Sequence, residues 1–371
     1  VPAAGRTVVN LFGDQDFAEQ RAFFAARPDL APTPLRAVPG LARRLGIGAL
    51  LVKDETHRFG LNAFKAAGAT FAIATLRARG EIQPGATLVC ASEGNHGRAV
   101  AQAAREAGCT ARVYLADSVA PARVQAIQST GAAVIAVRGT YDDAVREMAR
   151  DAAVNDWLIV SDTSWPGYEE IPRLIMLGYT RLLDEAEAAW SPALPPDVIF
   201  VQAGVGGLLA AVACWADWRF GPRRPRIVAV EPVSAACLQI SARHGIPTTL
   251  DGPFETIMGG LRCGEVSRLA FAATHSLVDA YVAIEDDWAR EATRALARPT
   301  DGDPAIEAGA SGAAALGGLL AALRDPAGAD VRAGIPLTPG TRALVVVTEG
   351  VTDPAAFRAV LSRPSTTPMA R

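Results

Sequence analysis

The chain has 371 residues, half of them hydrophobic and a fifth charged, with a formal net charge of -3. Such composition is globular, and the length is enough for two or three domains. No basic stripe or aromatic-basic interleaving points to a nucleic-acid partner, and no apolar run reaches the ~20 residues of a membrane-spanning helix.

In chain order, short β-branched runs alternate with alanine-rich amphipathic stretches. The pattern predicts strands at 49–53, 87–91, 112–115, 133–137, 158–161, 198–202, 226–231 and 343–347. Helices are predicted between most of them, at 97–107, 119–129, 141–155 and 206–220. Strands alternating with helices predict an α/β protein with parallel sheets covered on both faces. Ligands in such sheets bind at the carboxyl ends of strands, where loops lead into helices. The Pro-rich patch 191–196 is the best boundary signal, and the tail from about Arg363 reads as loose.

The first chemistry-bearing stretch is Asp54-Glu55-Thr56-His57-Arg58-Phe59-Gly60-Leu61-Asn62-Ala63-Phe64-Lys65. Lys65 follows an aromatic ring and opens a helix of small residues, Ala66-Ala67-Gly68-Ala69. An apolar wall and a helix N-terminus both disfavour an ammonium, so its pKa is expected to fall. A neutral amine there is suited to a Schiff base with an aldehyde cofactor; a snorkelling surface lysine is the plainer alternative.

Three strand-end loops add polar groups. Ser92-Glu93-Gly94-Asn95-His96-Gly97 crowds a hydroxyl, a carboxylate, an amide and an imidazole between glycines, where a helix cap explains one residue but not the rest. Asp162 and Thr163 end another strand, and Asp162 is a second candidate acid or base or, equally, a turn initiator. Gly204-Val205-Gly206-Gly207-Leu208 joins a strand to a helix. It can turn backbone N–H groups toward an anion such as a phosphate, or simply make a tight turn. It lacks the Lys-Ser/Thr of a nucleotide-triphosphate loop and the GxGxxG spacing. A reactive lysine, a phosphate cradle and a polar loop are the parts that pyridoxal phosphate needs. The cysteines Cys90, Cys109, Cys214, Cys237 and Cys263 form no CxxC pair, and with four histidines they assemble no zinc spacing. No metal is therefore expected. Free thiols and no signal-like start at Val1-Pro2-Ala3-Ala4-Gly5-Arg6 suit a cytoplasmic enzyme.

On these residues the sequence resembles the pyridoxal-phosphate enzymes of the tryptophan-synthase-β fold type (fold type II), which include serine and threonine dehydratases. Within them it is most similar to the diaminopropionate ammonia-lyases. The resemblance runs in order through Lys53–Lys65, Gly94-Asn95-His96-Gly97-Arg98, Tyr141-Asp142-Asp143, Asp162-Thr163 with Trp165, and Gly167-Tyr168. It continues through Ile171-Pro172, Met176–Tyr179, Thr256-Ile257-Met258, Gly260-Leu261, Cys263-Gly264-Glu265, Gly309-Ala310-Ser311-Gly312 and Thr348-Glu349-Gly350. It covers nearly the whole chain.

The resemblance implies two domains, each with a mostly parallel twisted sheet covered by helices. A large cofactor-binding domain would take residues 1–75 and 190–371, and a small mobile domain residues 76–189. It implies that Lys65 holds the cofactor and returns protons, that Phe64 lies against the pyridine ring, and that Asn95 meets the ring hydroxyl. Gly204, Val205, Gly206, Gly207 and Leu208 would hold the phosphate, with Thr348 near the ring nitrogen. Ser92, His96 and Thr163 would bind the substrate. The activity implied is α,β-elimination of 2,3-diaminopropionate to pyruvate and ammonia by a homodimer. The alternatives are a dehydratase of serine, threonine or another 3-substituted amino acid and, more remotely, a non-catalytic binder on the same fold.

Two departures stand out. Where such lyases have an aspartate acting on the D-substrate, this chain has Glu93, one methylene longer by about 1.5 Å. A misplacement of ~1 Å can cost ~100-fold in rate. Asp162 matches the carboxylate associated with the L-isomer, so L-substrate activity is the firmer expectation and D-isomer activity the weaker. Glu307 is followed by Ala308 where the family tends to have serine. Cys237 and Cys263 match two cysteines that such enzymes can pair near the site entrance, so a bridge stands beside free thiols as a hypothesis.

Overall fold

The computed structural model describes residues 8–92, 94–119, 121–139, 141–190, 195–335 and 337–362. Glu93, most of the Pro-rich patch and the tail from Arg363 lie outside the described residues.

The strands are β1 (Leu35–Ala37), β2 (Ala49–Asp54), β3 (Thr87–Ala91), β4 (Thr110–Ala116), β5 (Ala133–Val137), β6 (Leu158–Ile159), β7 (Val198–Gln202), β8 (Arg226–Pro232), β9 (Ala280–Ile284) and β10 (Arg342–Val347). They form a six-stranded sheet in the order β1-β2-β10-β7-β8-β9 and a four-stranded sheet in the order β5-β4-β3-β6. Every pairing is parallel except β1 with β2. The predicted strands are all present. Two were missed. β1 has three residues, too short for an alternation to register, whereas β9 is the apolar run Ala280-Tyr281-Val282-Ala283-Ile284, a strand signal that was overlooked. The predicted 158–161 strand is two residues long, because the chain leaves the sheet early to deliver Asp162.

Helices cover both faces of the larger sheet, which is why β7 is buried along its whole length. Ala310–Arg324 packs on β10 and β7 from one side, and Gly207–Phe220 lies on the other. The helix Lys65–Ala78 sits between the sheets, against Asn95–Glu106 and Glu170–Tyr179. That crossing depends on glycine: a Cβ on Gly68 would lie 2.4 Å from the Tyr179 ring, and one on Gly178 would lie 2.8 Å from the Ala67 carbonyl oxygen. The close approach brings Tyr179 beside Lys65.

A buried charge cluster anchors the stretch that leads to Lys65. Arg58 Nη2 lies 2.6 Å from Glu55 and 2.7 Å from Glu185, and Lys53 Nζ lies 2.8 Å from Glu185. Arg58 and Glu55 are fully buried. Burial opposes the Glu55 charge, but Arg58 and Lys53 outweigh it and bring the carboxyl down to about 2. Among the described residues, no helix is long and apolar enough to cross a membrane.

Candidate active site

The loops after β3, β6, β7 and β10 converge on one cavity of about 180 Å3. Phe64, Lys65, Ser92, Asn95, His96, Asp162 and Thr163 all line it. So do Thr348 and the run from Gly204 to Leu208. Every sequence-predicted site residue within the described chain is thus brought together; Glu93 lies outside it.

Lys65 is the first residue of its helix, and the preceding residues are docked on the end of β10. The Phe64 amide donates to the Thr348 carbonyl oxygen at 3.0 Å, and Ala63 bridges to Glu349. The Lys65 ammonium lies 5.1 Å from the Phe64 ring centre and 5.8 Å from that of Tyr179. It also pairs with the Asp162 carboxylate. That pairing corrects the expectation of a lowered lysine pKa. Burial does work against the charge, but the Asp162 carboxylate beside it prevails, and the pKa stands above the ordinary lysine range.

Asp162 is reciprocally affected. Burial disfavours its charge, yet His96 when its ring carries a proton, and Lys65 beside it, hold its pKa well below the usual carboxylate range. His96 Nε2 lies 2.8 Å from the Val160 carbonyl oxygen, which can only accept, so Nε2 carries the hydrogen. Among the described residues Nδ1 has no hydrogen-bond partner, and it lies 3.9 Å from Asp162 Oδ2. Burial lowers the His96 pKa, so the ring is a neutral acceptor facing the cavity.

The Ser92 oxygen accepts from the amides of Gly94 at 3.0 Å and Gly97 at 2.9 Å, so it shapes the turn as much as it lines the cavity. A Cβ on Gly97 would lie 2.6 Å from the Val113 side chain, so the helix can start this close to β4 only with glycine there. The turn delivers Asn95 to the cavity as the first residue of its helix.

The Gly204–Leu208 run leads from β7 into the helix Gly207–Phe220. Gly206 has a φ of +102°, and a Cβ there would sit 3.3 Å from Ala270 and Leu238. Among the described residues, the amides from Gly204 to Leu208 donate to no protein group, so an anion would find both donors and a helix dipole. On the far side, Gln202 Nε2 donates to Thr348 Oγ1 at 2.6 Å and to the carbonyls of Ser311 and Gly312 at 3.0 Å. With its oxygen already accepting, the Thr348 hydroxyl has its hydrogen left to donate to a ring nitrogen. Gln202 was not anticipated, although its place at the carboxyl end of a fully apolar strand marks it.

An amine, an unpaired amide cradle, an amide side chain and a neutral hydroxyl donor fit the aldehyde, phosphate, ring hydroxyl and ring nitrogen of pyridoxal phosphate. The comparisons agree. Residues 26–336 match the family described as "Pyridoxal-phosphate dependent enzyme". The diaminopropionate ammonia-lyase of Escherichia coli (strain K12) is 35% identical over 367 residues, covering 95% of this chain and 92% of that protein. The chain belongs to this family of pyridoxal-phosphate-dependent lyases. The crystal structure of the holo form of the Escherichia coli lyase superposes with a TM-score of 0.90 at 33% identity, covering 98% of this chain and 96% of that one. Its complex with an aminoacrylate-PLP azomethine reaction intermediate superposes at 0.88 with 34% identity, over 98% and 96% of the two chains. The cofactor is pyridoxal phosphate, and the fold is the two-sheet α/β fold type II.

Two further features were not anticipated. Glu349 lies in the cavity wall, bonded to Asn95, and Arg123 reaches the same wall from the helix Pro121–Gln128. Among the described residues, no disulfide joins Cys237 and Cys263.

Proposed function

We propose that this enzyme eliminates the β-substituent of 2,3-diaminopropionate, giving pyruvate and ammonia, with the L-isomer as its firmer substrate. The observation that carries the reading is the contact of Lys65 with Asp162 inside a cavity bordered by unpaired loop amides. Lys65 would hold the cofactor's aldehyde carbon, the Gly204–Leu208 amides its phosphate, Asn95 its ring hydroxyl, and Thr348 its ring nitrogen, with Phe64 against the ring. Bound there, pyridoxal phosphate supplies the electron sink for the pair left behind when the substrate loses its α-proton.

Asp162 takes that proton. Its carboxyl, buried beside Lys65, is held well below the usual carboxylate range, so it is ionised and able to accept. His96, neutral and hydrogen-bonded to the Val160 carbonyl, keeps an acceptor nitrogen toward Asp162 and the substrate. The β-nitrogen must depart protonated, and the proton it takes is the one Asp162 has accepted, relayed by the neighbouring Lys65 amine, which restores the carboxylate. Thr163 and the turn that Ser92 braces border the substrate's end of the site. Glu93 is assigned to the D-isomer by resemblance alone.

We also infer a division at about residues 75 and 190, with residues 76–189 as the smaller mobile domain, and a cytoplasmic homodimer. Light scattering giving twice the chain mass would support the dimer. The functional reading is tested by reconstituting Lys65→Ala with the cofactor. Loss of both the visible band and pyruvate release is expected, and a variant that keeps either one contradicts the role of Lys65.

A further inference from the structure

Among the described residues two carboxylates line the cavity, Asp162 and Glu349, and only Asp162 has a task in the mechanism above. Glu349 follows β10 of the six-stranded sheet, whereas Asn95 opens the helix after β3 of the four-stranded sheet. Their side chains meet: Asn95 Nδ2 donates to Glu349 Oε2 at 2.5 Å. Ser311, at the start of the helix Ala310–Arg324, bonds to the same carboxyl. The charged groups that face it are Arg123, from the helix Pro121–Gln128, and Lys65, from its own helix.

The position is tightly built. Glu349 is 5% exposed, and its carbonyl oxygen accepts from the Gly309 amide at 3.2 Å. A Cβ on Gly312 would lie 2.2 Å from that oxygen, so the backbone at Glu349 has no room to shift toward the helix. Burial raises the pKa of the carboxyl, with Arg123 and Asn95 pulling the other way less strongly. An amide nitrogen has two hydrogens. With one of those on Asn95 fixed by Glu349, the other has a defined direction.

We propose that Glu349 is a positioning residue for Asn95, fixing one hydrogen of its amide so that the other is aimed at the cofactor's ring oxygen. This rests on the reading of Asn95 as the ring-oxygen partner. Ionised, Glu349 would oppose an anionic ring oxygen; neutral, it leaves Asn95 free to donate to it.

The test compares holoenzyme reconstituted from wild type, Glu349→Gln, Glu349→Ala, Asn95→Ala and the Glu349→Ala/Asn95→Ala double variant. The visible band of the bound cofactor is followed against pH, and cofactor affinity is read from quenching of protein fluorescence. In wild type the band is expected to weaken as pH rises through the Glu349 ionisation. In Glu349→Gln, which stays neutral, that step disappears and the low-pH intensity persists. Glu349→Ala should weaken cofactor affinity about tenfold, as for a lost hydrogen bond to an ionisable group, with Glu349→Gln retaining most of it. The alanine loss should not recur in the Asn95→Ala background. Identical pH profiles in wild type and Glu349→Gln, or additive losses in the double variant, would overturn the proposal. A Lys65→Ala control separates the two readings. If it keeps the band, the cofactor reading itself fails. If it loses the band while Glu349→Gln matches wild type, only the role of Glu349 fails.

Discussion

Replacing Asp162 with asparagine removes a charge and almost no volume. The side chain is 13% exposed, touches Lys65, and lies 3.9 Å from His96 Nδ1, so the substitution can be accommodated without repacking. A positioned general base contributes ~100- to 10,000-fold, or about 3 to 5 kcal/mol of barrier. The kcat/KM for L-diaminopropionate should therefore fall by a factor in that range. Lys65 should respond in the opposite sense. Its pKa stands above the ordinary range because Asp162 outweighs burial. Without Asp162 burial prevails, more of the lysine is neutral at pH 7 to 8, and the visible band should develop faster when cofactor is added to the stripped enzyme. Stopped-flow absorbance measures the second effect, and coupled pyruvate detection the first. A fall in kcat/KM of less than about threefold would falsify the assignment of the base. Loss of the visible band in parallel with activity would show instead that Asp162 only holds the cofactor site together.

Two further predictions concern the frame around the site. Arg58→Ala leaves the buried Glu55 paired with Lys53 and Glu185 paired with Lys53 and Arg181, and should destabilise the holoenzyme by about 3 kcal/mol in urea unfolding. The same cluster sets an acid limit. Glu55 is depressed to about 2 from 4.5, so its contribution is complete above about pH 4.5 and is lost as pH falls toward 2. A stability curve that stays flat across that window contradicts this assignment. Gly206→Ala forces a side chain into a φ of +102° and a Cβ to 3.3 Å from Ala270. Strain of about 1–2 kcal/mol should weaken cofactor affinity roughly tenfold while leaving the unfolding midpoint of the cofactor-free chain less affected.

The strands and the four loops of the site were largely legible because each loop follows a β-branched run, whereas the order of the strands in the sheets was not read. Gly206 and Gly207 could be read as a cradle from local composition, and Asn95 from the crowding of its turn. What could not be read were contacts between residues far apart in the chain. Lys65 was expected to have a lowered pKa because its neighbours in sequence are apolar, but its decisive partner, Asp162, is 97 residues away. The bond from Asn95 to Glu349 spans 254 residues. Glu349 appeared only as part of a motif, since nothing local distinguishes a carboxylate that faces a cavity from one that faces water. β1 was missed because a three-residue strand imposes little pattern on its residues, whereas β9 was legible as the apolar run Ala280–Ile284 and was overlooked.

The central claim is the elimination of diaminopropionate on Lys65, and it is tested most directly by substrate comparison. Holoenzyme is given L- and D-diaminopropionate, serine and threonine at matched concentrations, and release of pyruvate or the corresponding keto acid is timed. Fastest turnover is expected with L-diaminopropionate, with the D-isomer slower because Glu93 replaces the shorter carboxylate. Serine or threonine turning over far faster than either diaminopropionate isomer would contradict the assignment and make the enzyme a dehydratase.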